Sequence, residues 1–83
     1  MLFVVLEEVY SIAPDGSERE LLSRSPRPLF AGDRQAAQWY AKNRAAEFEA
    51  ADYHDEADDP YFWVRDAVKG ESHRFIVKPA MPA

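Results

Sequence analysis

Eighty-three residues make one domain, near the size at which a single core only just offsets the conformational entropy of folding, and the absence of cysteine excludes disulfides, thiolate metal sites and cysteine nucleophiles. Apolar content of 47%, with 13% aromatic, argues for a folded chain despite a net charge of −5. The acid excess speaks against duplex nucleic acid as a ligand, since phosphate binding rests on clustered Lys and Arg, and no stretch approaches the ~20 apolar residues that span a bilayer.

Residues 2–12 are rich in Val, Leu and Tyr, and Glu7 and Glu8 follow the apolar start with neither a basic leader nor a small-residue cleavage site. A strand is expected here, in a soluble cytoplasmic protein. Ala13-Pro14-Asp15-Gly16 supplies a tight turn into a return strand over residues 17–25, where Glu18, Glu20 and Arg24 flank Leu21 and Leu22. Pro26 and Pro28 cannot donate to a ladder and end that strand in a short connector through Leu29-Phe30. Asp33 is a plausible N-cap for an alanine-rich helix over about residues 34–53. Pro60 bars its continuation, and Tyr61-Phe62-Trp63-Val64 begins a strand over residues 61–68. Lys69-Gly70-Glu71 turns the chain into a last strand over residues 72–78. The expected order is ββαββ, a single α+β domain over residues 1–83: a two-layer sandwich with one helix packed on one face of an antiparallel sheet.

Both layers carry more apolar surface than this arrangement covers. On the helix, Ala37, Tyr40, Ala41, Phe48 and Ala51 share the core-facing side, and Ala36, Trp39, Ala46 and Ala50 form a second stripe. Trp39 either folds over the sheet edge and connector or anchors a partner. On the first strand, Leu2, Val4, Leu6, Tyr10 and Ile12 oppose Phe3, Val5 and Val9, while Tyr61 and Trp63 oppose Phe62 and Val64 on the third. One helix covers one sheet face, so a homodimer burying the other is expected.

The charge pattern adds a docking surface. Seven carboxylates, Glu47, Glu49, Asp52, Asp55, Glu56, Asp58 and Asp59, fall within residues 47–59 without a Lys or Arg. Such a run is solvated and strongly negative, so its partner is a protein with a basic surface. The expected partner-binding residues are Asp55, Glu56, Asp58 and Asp59 with Trp39 and Trp63.

Chemistry is harder to find. His54, Glu56 and Asp58 offer metal-ligating atoms, but a solvated loop lacks a second shell and the spacing fails that of a calcium-binding loop, so no metal is assigned. His73 can pair with Asp66 across the last hairpin as acid and base, yet no serine has an adjacent base and oxyanion site, and no catalytic residue is assigned. Gly16, Gly32 and Gly70 are isolated and form no phosphate-cradling loop, so no cofactor is expected. The pattern points to a non-enzymatic protein-binding or regulatory module. Its size and charge, and nothing more specific, are similar to those of phage-type inhibitors such as anti-CRISPR proteins, which implies competition with nucleic acid for a basic groove. The rival readings are a small-molecule binder or enzyme, with a pocket between helix and sheet lined by Tyr40, Phe48, Trp63 and His73, and a structural docking component.

Overall fold

The alternating apolar run at the start of the chain becomes β1 (Phe3–Ile12), and the whole sheet is assembled on it. The computed structural model describes residues 1–48, 50–54 and 60–80. On one side β1 pairs with β6 (Glu71–Pro79), from Phe3 opposite Pro79 to Ser11 opposite Glu71. Its other side is shared end to end by β2 (Glu18–Arg24), which covers Glu8 to Ile12, and β3 (Phe30–Gly32), which covers Phe3 to Val5. Beyond β6 follow β5 (Tyr61–Asp66) and β4 (Ala50–His54), giving the order β2-β1-β6-β5-β4, antiparallel throughout.

A mixed α+β fold with one helix on an antiparallel sheet is therefore what this sequence forms, but with two more strands than ββαββ: the order is βββαβββ. The first addition, β3, lies in the expected connector. Ser25 N–H donates to the Glu7 carbonyl at 2.8 Å, Ser25 Oγ accepts from Glu7 N–H at 3.0 Å, and Leu29 N–H donates to the Val5 carbonyl at 2.8 Å. The edge of β1 is thus satisfied across Pro26 and Pro28, which have no N–H to contribute. The second addition, β4, replaces the tail of the expected helix. Helix α1 (Arg34–Ala45) stops eight residues short of residue 53, because Glu47 and Phe48 tighten onto the Arg44 and Ala45 carbonyls at 3.2 and 3.1 Å and residues 50–54 pair with β5. Alanine-rich composition favours helix locally, and the sheet ladder overrides it. Strand ends also differ from expectation. β5 ends at Asp66 instead of residue 68, leaving Val68 in the exposed turn, while β6 extends to Glu71 and Pro79 and β2 is shortened to Glu18–Arg24.

Local chemistry sets the turns. Gly16 N–H donates to the Ala13 carbonyl at 2.8 Å, Asp15 Oδ1 accepts from Ser17 N–H at 2.9 Å, and Gly16 has a φ of +90° that a side chain would strain. At α1, Asp33 caps as expected: its Oδ1 accepts from Ala36 N–H at 2.8 Å. Gly32 leaves room for the Phe30 ring, since a Cβ there would lie 2.9 Å from Phe30 Cε2. That ring then stacks on Tyr40 of the helix with centroids 4.9 Å apart.

The helix seats on the sheet through Ala37, Ala41 and Ala45, spaced one turn apart and fully buried against Phe3, Val5, Val64, Phe75 and Val77. Small side chains bring the helix axis close to the strands, with Leu29, Phe30, Tyr40, Phe48 and Phe62 closing the margins. Enlarging the central contact therefore costs stability. Ala41→Leu should lower the unfolding free energy by about 1–3 kcal/mol in urea titrations, and a neutral or stabilising result would show that the helix is not seated this closely.

Candidate functional site

The two tryptophans expected to act together lie in different layers. Trp39, near the middle of α1, is 70% exposed, so it neither folds over the sheet edge nor covers the connector. Two shallow grooves flank it. One is lined by Phe30, Asp33, Gln35, Ala36 and Tyr40. The other is lined by Gln35, Gln38, Lys42, Tyr53 and Phe62. Tyr53 is 43% exposed and packs on Phe62 with centroids 4.5 Å apart, so β4 and β5 extend the aromatic surface sideways from the helix. Asn43 Nδ2 donates to the Trp39 carbonyl at 2.8 Å, which fixes the solvent side of this turn.

Trp63 belongs to the opposite sheet face. There it stands beside a network that the sequence reading did not find. Glu18 on β2 accepts from Arg74 Nη2 at 2.6 Å and from Ser72 Oγ at 2.8 Å, and the neighbouring Trp63 indole further favours its ionised form. The Arg74 guanidinium lies 4.7 Å from the Tyr10 ring centre and 4.8 Å from that of Tyr61, a cation between two aromatic faces. Tyr10 in turn donates to Glu8 Oε1 at 2.7 Å, and Arg24 Nε donates to Glu8 Oε2 at 2.8 Å. Burial pushes the Glu18 carboxyl up, but the bonds from Arg74 and Ser72 and the Arg74 charge outweigh it, and its pKa falls below the usual glutamate value. The same Glu18 bond raises Arg74 against its own burial, and burial followed by the Glu8 bond raises Tyr10.

This network changes the character of the outer face. Val4 is buried and Leu6, Tyr10, Ile12, Tyr61, Trp63 and Ile76 are half-buried, although no helix among the described residues covers them. The signal was present in the period-two spacing that aligns Tyr10, Arg74 and Tyr61 on one face. It was hidden because Glu18 reaches them from a strand whose register to β1 is shifted twice.

The remaining candidates separate. Asp55, Glu56, Asp58 and Asp59, with Glu49, lie outside the described residues; Glu47 and Asp52 are exposed, and Asp52 belongs to β4 and not to the helix tail. His73 does not pair with Asp66. Asp66 Oδ1 accepts from Lys69 N–H at 3.1 Å in the turn, while His73 Nδ1 meets Glu7 Oε2 at 2.7 Å under the Phe48 ring, 4.9 Å away. Glu7 as a carboxylate only accepts, so Nδ1 carries the hydrogen. Nε2 is buried without a hydrogen bond, with Glu71 Oε1 at 3.8 Å. Tyr40, Phe48, Trp63 and His73 do not line one pocket, because Trp63 is on the far side of the sheet and Phe48 fills the space over His73. No group of three or more His, Asp or Glu residues able to hold a metal ion occurs among the described residues. Nor is any helix among them long and apolar enough to cross a membrane. No family model matches the chain, and no curated protein or solved structure matches it significantly.

The ionic network yields a pH dependence with a definite sign. A carboxyl whose folded pKa is depressed contributes stability that is complete above its unfolded value, ~4.3, and is lost as pH falls through the folded value. Glu18→Gln should therefore flatten the decline of unfolding free energy below about pH 4.5. Urea titrations from neutral to acid pH check this, and parallel acid limbs for both proteins would contradict it.

Proposed function

We propose a non-enzymatic protein-binding module that docks through the Trp39 surface of α1, with the acidic run of residues 47–59 steering a partner that carries a basic surface. The observation that carries this reading is the 70% exposure of Trp39 between two grooves. A large aromatic side chain held in solvent on a rigid helix gains most when a partner pocket desolvates it, and tryptophan is over-represented among the residues that dominate binding energy. Tyr53 supports the same reading from the neighbouring strand, and in sequence it leads directly into Asp55, Glu56, Asp58 and Asp59. The aromatic surface would supply residence time and the acidic run that follows Tyr53 in sequence would supply encounter rate.

The homodimer reading has its support in the outer sheet face and the small chain. That support is narrower than the two-faced pattern suggests, because Arg74, Glu18 and the tyrosines already half-bury the apolar side chains there. Trp39 offers a second copy of the chain, or a different protein, the larger exposed aromatic area.

Once the partner is isolated, Trp39→Ala should weaken binding about 30-fold or more, the ~2 kcal/mol expected of a central anchor. The unfolding free energy should change by no more than about 0.5 kcal/mol, since the side chain is mostly in solvent. Neutralising Asp55, Glu56, Asp58 and Asp59 to Asn or Gln should slow association and flatten its salt dependence with little change in dissociation rate. Unchanged affinity for Trp39→Ala would refute the anchor, and unchanged kinetics for the neutralised variant would reduce the acidic run to solvated surface.

A further inference from the structure

We infer that the outer face of the sheet holds a second, independent site, a slot that takes a short aliphatic monocarboxylate between Lys78 and Arg24. The slot is partly open to solvent, has a volume of about 350 Å³ and is lined by Leu6, Glu7, Glu8, Arg24, Ser25, Ile76 and Lys78. Strand register explains its composition. Leu6 on β1 stands directly opposite Ile76 on β6, giving an apolar floor. One step along the same face Val4 is opposite Lys78, and one step the other way Glu8 lies between Arg74 and Arg24. An apolar strip two side chains wide is therefore bounded by a cation at each end.

The charges decide which ligand fits. Glu8 is committed, accepting from Tyr10 and from Arg24 Nε, and Glu7 turns its carboxylate to His73. Arg24 is engaged only through Nε among the described residues, with a side chain 68% exposed. Lys78 is half-buried and has no ion pair among the described residues. Ser25 Oγ accepts from Glu7 N–H, which leaves its hydroxyl proton able to donate. The Glu7 carboxylate lies on the helix-facing side with His73, so with Glu8 balanced by Arg24 the charge left on the slot's own face is that of Lys78. A monoanion balances it, a dianion would leave negative charge beside Glu8, and a cation would meet Lys78 directly. Leu6 and Ile76 receive the aliphatic chain, and the volume accommodates about four to eight carbons in a site of this small class. A carboxylate of this kind is carried equally by a free short-chain acid and by the C-terminal residue of a peptide.

Titrating the isotopically labelled protein with sodium hexanoate at constant ionic strength, followed by amide chemical shifts, tests the assignment. Saturable shifts are expected at Leu6, Ser25, Ile76 and Lys78 with a Kd in roughly the millimolar range for so small a ligand. Hexylammonium should produce none. Lys78→Gln, at a residue whose side chain makes no hydrogen bond or ion pair among the described residues, should raise the Kd about tenfold or more. Tighter binding of N-acetylleucine than of hexanoate would support the site and assign its carboxylate to a chain end, and the reverse would support it and assign a free acid. Absence of saturable shifts up to about 20 mM, equal shifts with hexylammonium, or an unchanged Kd for Lys78→Gln would each overturn the assignment.

Discussion

The pairing of β1 with β6 is the interaction on which the other features depend. These strands come from opposite ends of the chain, yet they form the centre of the sheet and its longest ladder. Their register decides both faces at once. Val5 opposite Val77, with Phe75 beside them, makes the floor on which the alanines of α1 rest, while Leu6 opposite Ile76 and Glu8 opposite Arg74 set the pattern of the outer face. A slip of one residue would exchange the two patterns, so the alternation specifies the pairing strongly. The separation of the two strands in sequence also makes the fold non-local, which slows folding because loop closure precedes any gain from contact.

A second constraint follows from the helix, which runs only over Arg34–Ala45 and cannot cover a sheet of this width. On its own side the margins are closed by aromatic rings, Phe30 on Tyr40 and Phe48 over His73 and Phe75. On the other side the described residues form no second layer. There the chain uses Arg74 between Tyr10 and Tyr61, tied to Glu18, in place of a packed helix. A guanidinium is suited to this because its flat faces stack on rings while its edge bonds a carboxylate. The interaction also fastens β2, an edge strand with mostly exposed side chains, to the middle of the sheet.

Much of this was legible in the residues, and the parts that were not share a cause. Turns at Pro14-Asp15-Gly16 and Lys69-Gly70, the Asp33 cap and the alternation of β1 are encoded locally, and they appear as expected. β3 and β4 are not encoded locally. Prolines surround the first and alanines fill the second, and each becomes a strand only because β1 or β5 offers an unpaired edge. The Glu18–Arg74 contact was invisible for the same reason, since its partners are brought together by register and not by spacing in the chain. Trp39 was legible as an unplaced aromatic, but its choice between sheet edge and solvent depended on where β4 would lie.

The central claim is that the two tryptophans differ in setting: Trp39 stands exposed on the helix layer, where we propose that it anchors a partner, and Trp63 stands beside the network on the outer sheet face. Acrylamide quenching of fluorescence in the single-tryptophan proteins Trp63→Phe and Trp39→Phe, repeated at low and high protein concentration, tests this directly. The account predicts strong quenching of Trp39 in dilute solution and weak quenching of Trp63 at every concentration. Protection of Trp39 in dilute solution, or protection of Trp63 that develops only as the protein is concentrated, would contradict it and place the docking surface on the outer face of the sheet.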